Sequence, residues 1–165
     1  MTNCLRPADP VGRLLTDPEV ATPAFVIDDA KLQVNLDCAK EKAARLGVTL
    51  RPHLKTHKSI EIARCQMLSP EGPATVSTLA EARYFAENGV KDLIYAVGIA
   101  PQKLADVAAI REAGCDLKII LDNVAAAKAV SAFCTRRGVT IPVLMEVDCD
   151  GHRSGVRPES ELLIE

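Results

Sequence analysis

No run of consecutive apolar residues approaches the ~18 that a membrane-spanning helix needs, and residues 1–10 hold no apolar core of a secretory signal. A membrane is therefore excluded as a partner, and the cytoplasm is the expected compartment. There is no basic run either: acids and bases are interspersed, the net charge is -2 and the pI is near 5.9. Nothing in that pattern can neutralise a phosphate backbone, so nucleic acid is excluded too. Six cysteines, Cys4, Cys38, Cys65, Cys115, Cys134 and Cys149, stand at long irregular intervals with no Cys-x-x-Cys pair. This is neither a zinc pattern nor a secreted disulfide framework, and all six are expected to be reduced thiols, several of them buried as small hydrophobes.

What is present is the composition of a globular protein, 48% hydrophobic and 25% charged over 165 residues. Beyond a lead-in containing Pro and Asp (residues 1–22), short β-branched apolar runs alternate with stretches of helical period. The runs cover residues 24–27, 48–52, 74–77, 92–97, 117–121 and 143–147, each short and apolar enough for a buried parallel strand. Asp28 or Asp29 can cap the first helix, and Gly47, Gly89, Gly114 and Gly138 follow four helical stretches where a stop is wanted. Strand spacing of about two dozen residues suits βα units, hence a doubly wound sheet or a (β/α)8 barrel. A dinucleotide fold would want Gly-x-Gly-x-x-Gly after the first run, where Asp28-Asp29-Ala30 stands.

The three histidines all lie just past the ends of predicted strands, where α/β proteins place their active sites. The first cluster reads Arg51-Pro52-His53-Leu54-Lys55-Thr56-His57-Lys58. A lysine at a strand end among other cations, Arg51 and Lys58 included, has a lowered ammonium pKa, and its neutral amine can form a Schiff base. The competing reading is that Lys55 and Lys58 are solvated loop lysines and His53 a structural histidine. The second cluster runs from Glu146 to Val156 and includes Asp148-Cys149-Asp150-Gly151-His152-Arg153-Ser154-Gly155. Here Gly151 and Gly155 would let backbone approach a ligand, and Arg153 would meet a phenolate or carboxylate unless Asp148 or Asp150 pairs with it. Asp148, Asp150 and His152 alone make a weak metal set. Thr75 to Ala82 reads first as a helix cap, with Glu81 three residues after Thr78, and Tyr95 either lines the same mouth or packs.

Thr22-Pro23-Ala24-Phe25-Val26-Ile27-Asp28, Arg51 to Lys58, Val76 to Ala82 and Asp148 to Val156 together resemble the amino-terminal half of the D-serine dehydratase / D-threonine aldolase family. That family shares its fold with alanine racemase. The resemblance extends from Thr22 to Pro158 and implies an α/β fold: a partial (β/α)8 alanine-racemase-like barrel, with about five of the eight barrel strands present. One further strand, residues 24–27, would belong to a β domain otherwise missing, and residues 23–165 would form the amino-terminal part of the cofactor-binding barrel. The resemblance also implies pyridoxal phosphate as cofactor, held by Lys55, with Arg153 near its phenolic oxygen. His53, Thr56 and His57 would lie beside it. A divalent metal, zinc or manganese, is implied for the family, with ligands outside this chain.

Of the family's activities the motifs sit closer to D-serine dehydratase, which yields pyruvate and ammonia; D-threonine aldolase and amino-acid racemase are the alternatives. The partner implied is a small D-amino acid, with a homodimer for the full-length protein. A reading of another class is a non-catalytic truncated fragment, since the three remaining barrel strands and the metal ligands would lie beyond Glu165. On that ground the 165-residue chain alone is expected to show no turnover.

Overall fold

The computed structural model describes residues 14–164. Helix α1 (Asp29–Leu46) starts on Asp28, whose carboxylate accepts from the Lys31 N–H, and stops at Gly47 in the left-handed conformation. Then follow α2 (Ile60–Gln66), β1 (Ala74–Val76), α3 (Leu79–Glu87), β2 (Asp92–Gly98), a 3-10 turn at Pro101–Lys103, α4 (Leu104–Glu112), β3 (Asp116–Leu121), α5 (Val124–Arg137) and β4 (Val143–Met145). The strands lie side by side in chain order, β1-β2-β3-β4, and every pairing is parallel. Parallel neighbours need a crossover, and here each crossover is a helix, as the alternating periodicity predicts.

One face of this sheet is sealed. Leu93, Tyr95, Leu117 and Ile119 are fully buried in the cluster that also holds Phe85 of α3 and Val107 of α4. With a side-chain period of two, Thr75, Ser77, Asp92, Ile94, Ala96, Lys118 and Ile120 share the other face. Tyr95 thus packs on the helix side, its hydroxyl accepting from Lys103 Nζ at 2.9 Å, and does not line the mouth.

Four of the five runs expected as barrel strands form the sheet. The first, residues 48–52, is reduced to a single parallel bridge between His53 and Thr75. It still lies against β1, because the Thr75 N–H donates to Pro52 O and the Leu54 N–H to Thr75 O. Pro52 has no N–H, which takes one rung out of any longer ladder. Residues 24–27 form no strand: Phe25 and Val26 are exposed and have no strand partner among the described residues. The last run ends at Met145, and Val147 instead bridges Val156. Cys65 is disulfide-bonded, against the expectation of reduced thiols throughout, whereas Cys38, Cys115, Cys134 and Cys149 are free. Cys115 does behave as a small hydrophobe, its thiol pushed up to about 11, chiefly by burial. No helix among the described residues is long and apolar enough to cross a membrane.

Candidate functional site

The lysine loop begins where the first run leaves the sheet. Leu54 is fully buried and tied to Thr75, and the Lys58 N–H closes back on Leu54 O, with Lys58 itself at φ 52. Between these anchors Lys55 and Thr56 are exposed, and the Lys55 ammonium makes no ion pair among the described residues.

His53 shares the open face of the sheet with Thr75 and Ser77, since parallel bridge partners point the same way. Its Nδ1 accepts the Lys55 backbone N–H at 3.3 Å, and its Nε2 lies 3.1 Å from Ser77 Oγ. Burial, then the positive charge of Lys55, hold the His53 pKa below its ordinary value, against an opposing pull from Glu81. Glu81 is the only buried charged side chain among the described residues. It accepts the Ser77 N–H at 2.9 Å and Lys58 Nζ at 3.5 Å, while its own N–H donates to Thr78 Oγ1. The 75–82 segment is thus a helix cap, and also the wall against which His53 rests. Ser77 lies in the strand-end segment that reads first as a helix cap, and it was not among the expected site residues; its signal is parity, two residues after Thr75 on the same strand face.

His57 turns the other way. Its Nδ1 accepts the Ser59 N–H at 3.0 Å, which leaves Nε2 to donate to Gln66 Oε1 of α2 at 3.0 Å. Burial, the largest cause, lowers its pKa, and the hydrogen bond to Gln66 works against that shift.

Arg51 does not act on Lys55 as expected. Two residues before His53, on the same face, it forms a fork on the Asp92 carboxylate, at 3.0 and 2.8 Å, and Lys118 Nζ joins the same carboxylate at 2.9 Å. Asp92 and Asp116 start β2 and β3, so this ionic layer sits at the amino ends of the strands, away from Lys55. The Arg51 hydrogen bond to Asp92 and the Lys118 hydrogen bond to Asp116 are the main causes that lower those carboxyl pKa values.

The second cluster is a closed loop. The Val156 N–H donates to Glu146 O, the Asp148 N–H to Val156 O, and the Asp148 carboxylate accepts the N–H groups of Gly151 and Arg153. Gly155, at φ 115, needs its missing side chain for this closure: a Cβ would lie 2.8 Å from Asp148 N and 2.9 Å from Glu146 O. The close approach is to the loop's own base and not to a ligand. Asp148 binds Arg153 through backbone only, so the Arg153 guanidinium makes no ion pair among the described residues. His152 and Asp150 are exposed, and no group of three or more His, Cys, Asp or Glu among the described residues is placed to hold a metal ion.

Both clusters lie past the carboxyl ends of parallel strands. They flank opposite ends of the row, four strand steps apart, which at about 4.8 Å per step is about 19 Å on a flat sheet and less on a curled one. His53, Lys55, Lys58, Ser77 and Glu81 form one contiguous group, and no hydrogen bond or ion pair among the described residues joins Arg153 to it.

Residues 27–164 match the family model described as alanine racemase, N-terminal domain. The chain is 44% identical over 143 residues to a D-threo-3-hydroxyaspartate dehydratase of Delftia sp. (strain HT23), covering 87% of this chain and 38% of that protein. It is 33% identical over 147 residues to a D-serine dehydratase of Dictyostelium discoideum, covering 84% of this chain and 37% of the relative. The solved structure of an alanine-racemase-like protein of Idiomarina loihiensis superposes with a TM-score of 0.82 at 46% identity, covering 86% of this chain and 38% of that one. The chain thus spans 37–38% of the length of these three proteins.

Proposed function

The chain belongs to the family of the alanine racemase N-terminal domain, and on that premise we propose that it forms the lysine-bearing part of a pyridoxal-phosphate-dependent lyase acting on 3-hydroxy-D-amino acids. The observation that carries the proposal is Lys55: an exposed primary amine at the carboxyl end of a parallel sheet, paired with no carboxylate among the described residues, on a residue whose backbone N–H is held by an imidazole of lowered pKa. That donor set fits an aldehyde cofactor. An amine already held by an acid would have to give up that bond before reacting.

Pyridoxal phosphate, when bound, supplies the electron sink for the charge left at the substrate Cα. The roles of the chain's own residues follow from their chemistry. Lys55 would hold the cofactor and, once displaced by substrate, take up the Cα proton on its free amine. Arg153, whose guanidinium is not spent on Asp148 or Asp150, would meet the cofactor's phenolic oxygen. Thr56 borders the lysine, and His57 supports the loop from the side of α2.

The substrate class rests on what the relatives' names share. Serine and 3-hydroxyaspartate both carry a hydroxyl on the carbon next to Cα, and both named enzymes are dehydratases that use the D form. The reaction proposed is therefore loss of the Cα proton and of that hydroxyl as water, followed by hydrolysis to a 2-oxo acid and ammonia. D-serine would give pyruvate and D-threo-3-hydroxyaspartate would give oxaloacetate. The divalent metal of the family would help the hydroxyl leave, with ligands outside the residues described.

The test is spectroscopic first. Pyridoxal phosphate added to the protein is expected to give a new absorbance band, and borohydride should fix the pyridoxyl group on the peptide containing Lys55, with Lys55→Ala losing both. Labelling spread over surface lysines, or unchanged in Lys55→Ala, would refute the assignment. D- and L-serine and the 3-hydroxyaspartates, assayed for 2-oxo acid, then fix substrate and stereochemistry.

A further inference from the structure

We propose that His53 is a positioning residue for Lys55: a neutral imidazole, protonated on Nε2, that clamps the Lys55 backbone to Ser77 and so fixes where the lysine side chain starts. The inference rests on the reading of Lys55 as the cofactor lysine, but its geometry stands apart from any cofactor.

A backbone N–H can only donate, so the Lys55 N–H at 3.3 Å makes His53 Nδ1 an acceptor. In the neutral ring the proton is then on Nε2, which donates to Ser77 Oγ at 3.1 Å. The rigid ring bridges two points on separate stretches of chain, the lysine loop and the end of β1. Both points are anchored: the loop through Leu54 on Thr75, and Ser77 through its N–H on the buried Glu81 carboxylate. The Ser77 hydroxyl proton is not needed for this bond.

The charged groups acting on the ring are Lys55 on its own loop and Glu81 from α3, with Lys58 paired to that same carboxylate; Thr75 of β1 and Ser77 just beyond it bring only hydroxyls. Glu81 is already engaged by Lys58 at 3.5 Å. Protonating Nδ1 would break the clamp, because the acceptor for the Lys55 N–H is lost and a second positive charge appears beside Lys55. Burial and Lys55 both work against that protonation.

The experiment uses the complete protein, first without cofactor. Nitrogen-15 spectra of the His53 ring are expected to show Nδ1 bare and Nε2 protonated at neutral pH. Loss of one hydrogen bond predicts that His53→Ala exchanges the Lys55 amide proton about 10-fold faster and forms the borohydride-fixed adduct about 3- to 10-fold more slowly. His53→Gln, with an acceptor and a donor on one side chain, should restore both to within about 3-fold of wild type. Should His53→Ala not fold, Ser77→Ala serves, since it keeps the ring but frees its far end, with an expected loss of about 3-fold. A proton on Nδ1, or wild-type exchange and capture in His53→Ala, overturns the clamp. Wild-type protein that captures no cofactor on Lys55 overturns the cofactor reading instead, and the ring tautomer and Lys55 exchange then decide the clamp alone.

Discussion

The His57 ring is bonded at both nitrogens, to the Ser59 N–H and to Gln66 Oε1, and half buried; only the neutral form fits both partners. Its pKa and that of His53 lie below the ordinary 6.5. The unfolded chain therefore binds these protons at a higher pH than the folded one. The stability contributed by the two neutral rings is fully present above 6.5 and is lost as the pH falls through the depressed folded values. Thermal unfolding should accordingly show a flat Tm above about pH 7 and a decline as the pH falls below 6.5, shallower in His57→Gln than in wild type. An equal slope in the two proteins would show that His57 does not contribute. That the histidines belong to strand ends was legible from residue order. Which of them faces the lysine was not, since it depends on the turn through Lys58 in the left-handed region, which a lysine does not announce. Arg51 was misjudged for a related reason: proximity in sequence suggested repulsion of Lys55, whereas strand geometry sends Arg51 toward Asp92.

Among the elements, the loop from Val147 to Val156 has the most stringent local requirement. Gly155 takes φ 115, and an added Cβ would meet three backbone atoms of residues 146–148 at 2.8 to 3.0 Å. Backbone cannot swing aside as a side-chain tip can. Gly155→Ala should therefore cost about 2–4 kcal/mol or open the loop. Gly138→Ala, at φ 67 with nothing within 4 Å of the added carbon, should cost only about 1 kcal/mol. Denaturant unfolding of the two variants measures the contrast, and equal losses would mean that conformation alone, without the clash, sets the cost. Gly138 was legible as a helix stop because it follows an apolar helical pattern. The need for Gly155 was not, because it arises from a contact between the two ends of an irregular loop. The same limit explains residues 48–52 and 24–27. Apolar β-branched composition marks a segment suited to a strand, but a strand exists only where a neighbour offers N–H and C=O groups, and Pro52 withdraws one of these from its own side.

Over the whole molecule, burial divides the chain into unequal parts, and the division bears on the proposed chemistry. Strands β2 and β3 are paired on both sides, and with α3 and α4 they hold the fully buried residues Leu93, Tyr95, Leu117, Ile119, Phe85 and Val107. Helix α1, 18 residues long, buries only Leu36 and Ala43 and leaves Val34 and Leu46 exposed. The alternating βα pattern was visible in the sequence, but a periodicity says nothing of how tightly each helix is held. Native-state hydrogen exchange should therefore be slowest in β2 and β3 and at least about tenfold faster through the middle of α1 and in the loop from Val147 to Val156. The lysine loop is hydrogen-bonded to β1 and braced by α3, so it belongs with the slow group, apart from the exposed Lys55 and Thr56. Lys55 would then be presented by a rigid wall, while Arg153 approaches on a more pliable one, and cofactor binding should slow exchange in the second loop more than in the first. Equal protection of both loops before cofactor is added would remove this asymmetry. Protection of α1 as deep as that of β2 would show that contacts beyond Leu36 and Ala43 hold that helix.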